Sequence, residues 1–307
     1  MKDFDLLVIG EINPDLILIG DDIDPTYGQV EKLVEAATLT IGSSSVITAC
    51  GAARLGLRTA FVGLVGDDVF GRFMLEAMQE RGVDTTACVV DPDLKTGFSV
   101  ILARGDGDRA ILTFMGSMSD LRPDHIDAAF LSRVRHLHVG SYFLLDRLRP
   151  ALPGLFREAR RLGLSTSLDT NWDPRGIWDS GDLLAHCDLF LPNEKEARQI
   201  SGRASLPDAL DILSKIVPIL AVKLGAQGGL VRSGETVLQL PPPPVDIVDT
   251  VGAGDSFDAG FLFGFLNRWP LERALRLALA CGSLSTRASG GTDAQPTLEE
   301  AKRWLGK

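Results

Sequence analysis

The segment from Asp249 to Asp255, which reads Asp-Thr-Val-Gly-Ala-Gly-Asp, contains the residues best suited to chemistry. It follows a proline-rich loop and opens a strongly apolar helix predicted over 254–267. Gly252 and Gly254 allow a tight turn that brings backbone close to a ligand, and free amides at a helix start form an anion site. Asp255 at that place indicates a base that takes a proton from a hydroxyl attacking phosphorus. The alternative is an acid that only caps its helix.

A second polar pair lies near the start of the sequence. Asn13 and Asp15 are two residues apart on a predicted extended segment. Because side chains alternate along a strand, both point to the same face. They therefore form either one half of a binding site or the polar face of an exposed edge strand.

Other nucleotide-dependent and hydrolytic chemistries lack their sequence motifs. The stretch from Gly66 to Gly71 is followed by Arg72, so it is not a phosphate-binding P-loop. The residues after the first strand, Gly10 to Pro14, lack the glycine fingerprint of a dinucleotide-dependent oxidoreductase. No serine occupies the Gly-x-Ser-x-Gly motif of a hydrolase.

Composition limits the partners of the chain. The 307 residues are 45% hydrophobic and 23% charged, as in globular proteins, and 31 basic against 41 acidic residues give a net charge of −10. Such a surface repels nucleic acid and anionic lipid, so we expect neither as a partner. No apolar run is long enough for a membrane span, and no signal peptide is evident at the first residues. The four cysteines are widely separated, which indicates reduced thiols and a cytoplasmic protein.

Alternating strands and helices predict the architecture. Short apolar runs at 135–140, 164–169, 187–191 and 218–223 are typical of buried parallel strands. Amphipathic helices such as 151–162 and 194–201 are predicted between them, and further helices at 254–267, 271–287 and 297–305. Nearer the start of the chain the pattern predicts a helix over 46–55, one strand over 59–65 and a helix over 69–80. The pattern favours a single doubly wound α/β domain over 1–307, with a mostly parallel central sheet flanked by helices.

Two segments interrupt the alternation. Residues 11–40 and 96–115 are β-rich, and the second contains a predicted hairpin, Phe98–Ala103 with Ala110–Phe114, across a turn at 104–108. We expect them to form a small β-sheet lid on the domain.

The sequence resembles the ribokinase-like family, the PfkB carbohydrate kinases, along essentially its whole length. Asp249 to Phe261 resembles the C-terminal signature of that family, and Gly42, Ala52–Gly56 and Val62–Gly71 resemble its N-terminal signature. Asn193 to Ala197 resembles its Asn-x-x-Glu motif, and Lys223 to Gly229 its nucleotide loop. The resemblance implies a doubly wound fold with a lid, and ATP-dependent phosphorylation of a hydroxymethyl group on a small sugar or sugar acid.

The resemblance also implies roles for residues around the phosphates. Asp255 would be the general base, and the amides of Gly252, Ala253 and Gly254 the anion hole. Asn193 and Glu196 would position Mg²⁺ and the ATP phosphates, Glu196 through water. Gly225 and Gly228 would lie against the nucleotide, which Lys223 would approach. Asp249 and the Val251 carbonyl would lie beside a monovalent cation, usually K⁺. Asn193 as a helix cap, Gly225 and Gly228 as a plain hairpin turn, a solvated Lys223 and Asp249 as a loop-fixing residue remain open alternatives.

For the acceptor, the resemblance implies that Asp15 binds sugar hydroxyls with support from Asn13, and that backbone at Gly42 and Ser43 touches the sugar. Arg175 follows an Asp169-Thr170-Asn171 stretch similar to that of fructokinases and 2-keto-3-deoxygluconate kinases, with one residue inserted, and would clamp a phosphate or a carboxylate. Its alternative is a surface ion pair.

Two departures from the family pattern bear on the substrate. Ser43 replaces the second glycine of a Gly-Gly pair, and Ile47 stands where many members have a sugar-contacting Asn. A nucleoside kinase of the same fold and a non-catalytic sugar-binding relative therefore remain alternatives. In some members the lid also forms a homodimer contact, which is expected here on the same ground.

Overall fold

Strands and helices alternate through most of the chain, and the computed structural model describes residues 2–105 and 108–306. The strands are β1 (Phe4–Ile9), β2 (Pro14–Ile19), β3 (Ala36–Ile41), β4 (Thr59–Val62), β5 (Leu64–Gly66), β6 (Val83–Asp84), β7 (Val89–Asp91), β8 (Phe98–Ala103), β9 (Arg109–Phe114), β10 (Val134–Val139), β11 (Ser165–Leu168), β12 (Leu189–Phe190), β13 (Ile219–Lys223), β14 (Gly229–Ser233) and β15 (Thr236–Leu240). The α-helices are α1 (Ser44–Arg54), α2 (Val69–Glu80), α3 (Ala128–Leu131), α4 (Leu152–Arg161), α5 (Glu194–Ser201), α6 (Leu206–Leu213), α7 (Ala253–Leu266), α8 (Leu271–Ser285) and α9 (Leu298–Lys302).

The central sheet has the strand order β15-β14-β13-β12-β11-β10-β1-β4-β6 within the described residues. The pairs from β13 to β6 are parallel, and β14 and β15 add an antiparallel hairpin at one end. The predicted mostly parallel α/β sheet is therefore confirmed. Its buried parallel strands are continuous apolar runs because helices cover both faces.

Two apolar cores lie on opposite faces of the sheet. Alternate residues of β1 serve both, since Leu6 and Val8 join the core under α1, α2, α7 and α8, while Leu7 and Ile9 join the core under α3, α4 and α6. This arrangement fixes α7 against the sheet along its whole length, and all but three residues of α7 are buried.

Strand β1 is the point where the winding of the sheet reverses. It pairs with β4 on one side and β10 on the other, and the chain reaches β4 first through α1. Ligands of doubly wound sheets bind outside the carboxyl ends of the strands at such a switch point. The site should therefore lie where β1, β10 and β11 end.

The predicted lid is confirmed as a separate four-stranded sheet of order β3-β2-β8-β9. Strands β8 and β9 form the predicted antiparallel hairpin. Part of its turn, Asp106 and Gly107, lies outside the described residues.

The prediction of one strand over 59–65 was wrong. Strand β4 ends at Val62 in the central sheet, and β5 begins at Leu64 in a two-stranded sheet with β7. Gly63 lies between them, and a Cβ there would come within 2.7 Å of Ile12 and 2.8 Å of Phe61. The chain changes sheets at this crowded glycine, which the apolar pattern does not reveal. In addition, α6 was not predicted.

No helix among the described residues is long and apolar enough to cross a membrane. The four cysteines are free thiols, as their separation predicted.

Candidate active site

Helix α7 begins at a backbone turn that only glycine makes easily. Gly252 is its N-cap residue with φ at 71°, and a Cβ there would lie 2.6 Å from Cα of Gly291. The first hydrogen bond of the helix runs from the Ser256 amide to the Gly252 carbonyl at 2.9 Å. The amides before Ser256 thus precede the helical ladder, and of these Ala253 donates to Thr250 at 3.3 Å. This helix start, with its positive dipole end, suits an anionic group.

Asp255 lies in the first turn of α7 and is 8% exposed. Burial raises its pKa to about 8; Asp169 and Glu11 also raise it, while Lys223 and the Ser44 hydroxyl lower it. A carboxyl with this pKa titrates close to neutral pH, as a general base requires.

Asn13, Asp15 and Gly42 come together in the structure. The Asn13 amide donates to the Asp15 carboxylate at 3.3 Å, and the Gly42 amide donates to the Asn13 carbonyl at 3.1 Å. A Cβ at Gly42 would lie 2.3 Å from Oδ1 of Asp15, so a larger residue would displace that carboxylate. Burial, and then Glu11, raise the pKa of Asp15 to about 6.

Ser43 follows Gly42 and has φ at 63°. Its hydroxyl donates to the Glu11 carbonyl at 2.7 Å and accepts from the Val46 amide at 3.0 Å, so it caps α1. The serine therefore keeps a conformation typical of glycine and is held there by two hydrogen bonds.

Glu11 is a buried acid that the sequence reasoning missed. It follows β1 at the switch point and accepts from Ser45 at 2.6 Å and Ser141 at 2.8 Å. Burial raises its pKa. Its position just after the strand that opens the fold was the available indication, but an acid next to a glycine is too common to single out.

Arg109 of the lid was also missed. Its guanidinium lies 3.8 Å from the Asp249 carboxylate, and its charge lowers the pKa of Asp15. The lid therefore brings a positive charge to both the acceptor side and the phosphate side of the site. An arginine next to the hairpin turn looks solvent-facing in the sequence.

Three of the predicted nucleotide residues, Lys223, Gly225 and Gly228, line a large cleft beside α7, whereas Asn193 and Glu196 lie outside it. The cavity measures about 620 Å³, and its walls are mainly apolar. Gly225 and Gly228 form one edge with φ at 56° and 88°, and a Cβ at Gly228 would lie 2.0 Å from the Leu240 carbonyl. The opposing wall includes residues that sequence reasoning did not select: Pro242, Pro243, Pro244, Ile247, Phe257 and Leu279.

Lys223 lines this cleft, and two buried acids hold its ammonium. Nζ donates to Asp169 at 2.8 Å and to Asp258 at 3.0 Å. Lys223 also pairs with Asn193 through an isolated parallel β-bridge.

Asn193 caps α5 as the alternative reading proposed. Glu196 returns the contact, because its two carboxylate oxygens accept from the Asn193 amide at 2.8 Å and side chain at 2.6 Å. Burial, and then Asp169, raise the pKa of Glu196 to about 7. Each oxygen keeps a free lone pair for metal-bound water, so the pair fits a magnesium ion held through its waters.

Asp249 holds its loop in place through hydrogen bonds from two backbone amides. Its carboxylate accepts from the Val251 amide at 3.0 Å and the Gly290 amide at 3.0 Å. These contacts match the loop-fixing alternative. The Asp249 carboxylate and the Val251 carbonyl also lie two residues apart on one loop, and hard oxygen donors of this kind fit a monovalent cation.

Arg175 does not join these groups, and Ile47 packs against one of them as a core residue. Arg175 pairs with Asp146, its side chain is half exposed, and it lines a separate cavity of about 360 Å³ with Tyr142 and Arg149. Ile47 is 3% exposed and packs against Gly252 and Gly291, so it presents almost no surface to a ligand.

Comparison with known proteins identifies the family of the chain. A family model described as pfkB family carbohydrate kinase matches residues 3–298. The chain is 28% identical to a 5-dehydro-2-deoxygluconokinase of Geobacillus thermodenitrificans over 98% of this chain and 96% of that protein. It is 30% identical to an aminoimidazole riboside kinase of Salmonella typhimurium over 86% of this chain and 87% of that one. A structure of Arabidopsis thaliana ribokinase with ribose and ATP has a TM-score of 0.88 at 22% identity, covering 99% of each chain, which shows the shared fold.

Proposed function

Since the chain belongs to the pfkB family of carbohydrate kinases, we propose that it transfers the γ-phosphoryl group of ATP to a hydroxymethyl group of a small sugar or sugar acid. The observation that carries the proposal is Asp255, a buried carboxyl in the first turn of α7 beside backbone amides that precede the helical ladder. A base next to an anion site is the minimum that phosphoryl transfer to a hydroxyl requires.

In the proposed step Asp255 accepts the hydroxyl proton as the sugar oxygen forms its bond to the γ-phosphorus. The bond from that phosphorus to the β–γ bridging oxygen breaks, and ADP leaves with the electron pair. The amides of Gly252, Ala253 and Gly254 stabilise charge on the moving group. Bound Mg²⁺, for which Asn193 and Glu196 are the proposed partners, supplies charge neutralisation for the phosphates. A monovalent cation, K⁺ by expectation, would be held by Asp249 and the Val251 carbonyl.

The two substrates have separate proposed places. The apolar cleft between the Gly225–Gly228 turn and the proline loop suits an adenine ring, since ligand pockets are mostly apolar with a few polar groups. Asn13, Asp15 and the backbone at Gly42 and Ser43 offer the acceptors that bind sugar hydroxyls. Arg109 of the lid adds a positive charge, which favours an acidic acceptor such as a sugar acid.

The proposal is tested by measuring ADP formation against a panel of acceptors, with and without K⁺. The panel contains ribose, fructose, 5-dehydro-2-deoxygluconate, 2-keto-3-deoxygluconate, adenosine and aminoimidazole riboside. We expect turnover of about 1–10³ s⁻¹ on one sugar or sugar acid. Turnover on a nucleoside alone would show that the acceptor is a nucleoside and not a sugar or sugar acid. Ile47 argues against that outcome, because it is buried and presents almost no surface to a base ring. Calorimetric sugar binding without ADP formation would show a non-catalytic relative.

A further inference from the structure

Three buried carboxyl groups meet beneath the first turn of α7. Oxygens of Asp169, Asp255 and Asp258 all lie within 4.8 Å of one another. A cluster of this kind normally holds a cation, because like charges at such distances repel strongly. Here the Lys223 ammonium lies 2.8 Å from one of them and 3.0 Å from another.

Three elements build the cluster. Asp169 directly follows β11, Lys223 ends β13, and Asp258 lies one helical turn after Asp255 on the same face of α7. The stem of Lys223 runs under the helix start, since a Cβ at Gly254 would lie 3.4 Å from Cδ of the lysine. The ammonium is thus fixed between the sheet and the turn that carries the general base.

The carboxyl groups of the cluster differ in how readily they ionise. Burial opposes ionisation of Asp169, but the Lys223 charge together with hydrogen bonds from Asp258 and Lys223 outweighs burial and lowers the pKa of Asp169. Burial raises the pKa of Asp258 well above its usual range, and its Oδ1 is fully buried without a partner. An ionised Asp169 paired with Lys223 beside a neutral Asp258 is the arrangement that these contacts favour.

We propose that Lys223 is a positioning residue whose ammonium is the resident cation of this three-carboxylate cluster and keeps Asp255 ready to accept the substrate proton. This inference rests on the proposed function, because it assigns Asp255 the role of base. It also assigns Lys223 a task other than binding a phosphate of ATP. The charged or polar groups that face Asp255 and the cluster, from all elements packed there, are Lys223, Asp169, Asp258, Glu11, Ser44, Glu196 and His138.

The test compares the pH dependence of kcat in Lys223→Met and Asp169→Asn. Lys223→Met removes the positive charge and should move the acid limb, the pH range over which kcat rises as the base ionises, up by about 1–3 pH units. Turnover that is lost near neutral pH should therefore return at high pH. Removing the negative charge should move the same limb down. Lys302→Met, which breaks an exposed pair with Glu299, is the control and should leave the limb unchanged. Shifts in opposite directions separate a charge effect from simple damage to the fold.

A rise in the KM for ATP of more than about tenfold in Lys223→Met, with the acid limb unmoved, would overturn the proposal and make Lys223 a phosphate ligand. If Lys223→Met does not fold, the double variant Lys223→Met/Asp169→Asn removes the two opposite charges together. The acid limb of the double variant should lie near that of the wild type. An acid limb shifted by as much as the loss of one charge would shift it contradicts the proposal. The Asp255 titration followed by ¹³C NMR gives the same shifts without catalysis. It therefore distinguishes failure of this inference from failure of the proposed function.

Discussion

Ser43 holds a backbone conformation that a glycine would adopt more readily. Its φ of 63° lies in the left-handed region, which costs a non-glycine residue about 1–2 kcal/mol. The hydroxyl offsets that cost by capping α1 and by donating to the Glu11 carbonyl. The serine therefore holds, through two hydrogen bonds, a backbone conformation that a glycine would adopt without them.

Two substitutions separate the strain from the cap. Ser43→Ala keeps the strained φ and loses both hydrogen bonds, so it should lower the free energy of unfolding by about 1–2 kcal/mol. Ser43→Gly loses the same bonds but removes the strain, and should stay within about 1 kcal/mol of the wild type. Urea unfolding measures both, and a glycine variant less stable than the alanine variant would contradict this account.

Asp255 gives the reaction a defined pH dependence. Its pKa is raised to about 8, and a base acts only when ionised, so kcat/KM for the sugar should rise as pH passes through about 8. Initial rates from about pH 6 to pH 9.5 measure this limb. A kcat/KM that stays flat across this range would contradict the assignment of a base with a pKa near 8.

The local pattern around Gly252 and Asp255 singled out these two residues, whereas Gly42 was selected through the family resemblance, and their roles in the site stay predictions. The sequence did not reveal the true partners of Lys223, which lie 54 and 35 residues away along the chain. Contacts of that kind depend on the order of the strands in the sheet, which the local periodicity of the sequence does not determine.

At the scale of elements, one carboxylate ties the amino ends of three central strands. Asp5 of β1 accepts from Arg58, just before β4, at 3.0 Å and from Arg135 of β10 at 2.9 Å. The hydrogen bonds from Arg58, followed by those of Arg135, outweigh burial and lower the pKa of Asp5 to about 2. The strands that carry Glu11 and Ser141 at their other ends are thereby held in register.

Asp5→Asn should lower the free energy of unfolding by about 1–2 kcal/mol near neutral pH. Because the folded pKa is depressed, this stabilisation is present above the unfolded value of about 3.8 and is lost as pH falls through about 2. The two proteins should therefore become equally stable at the acid end of a urea series. Asp3→Asn, at an exposed pair with Arg133, is the control and should change stability much less; a constant difference at every pH would contradict the electrostatic origin.

Periodicity predicted most elements of the sheet and its helices, since α2 and α5 begin and end where expected. It failed where tertiary packing decides. The break at Gly63 depends on Ile12 and Phe61, two side chains brought together only by the finished fold.

At the scale of the whole molecule, the lid is a sheet with exposed apolar side chains. Both of its edge strands are open within the described residues, and on β9 Ile111, Leu112 and Phe114 are about half exposed. Exposed apolar edges of this kind favour pairing with another chain. The sequence predicted the lid as an interruption of the α/β rhythm, but not its contact to Asp249 through Arg109.

We expect the chain to form a homodimer through this lid. Sedimentation equilibrium should give twice the mass of one chain for the wild type, and Ile111→Lys/Leu112→Lys should sediment as a monomer because the charges block burial of β9. The matched control Val237→Lys places a lysine on an exposed site of β15, away from the lid, and should remain dimeric. A wild-type monomer at micromolar concentration, or a dimer unaffected by the lid variant, would contradict the expectation.

The most direct test of phosphoryl transfer at this site is turnover of Asp255→Asn on the acceptor that the panel identifies. The variant should lose about 10²–10⁴-fold in kcat while its calorimetric Kd for the sugar stays within about threefold of the wild type. Asp211→Asn, at an exposed pair with Arg232, should retain full turnover. An Asp255→Asn protein that kept more than about a tenth of wild-type activity would show that Asp255 is not the base.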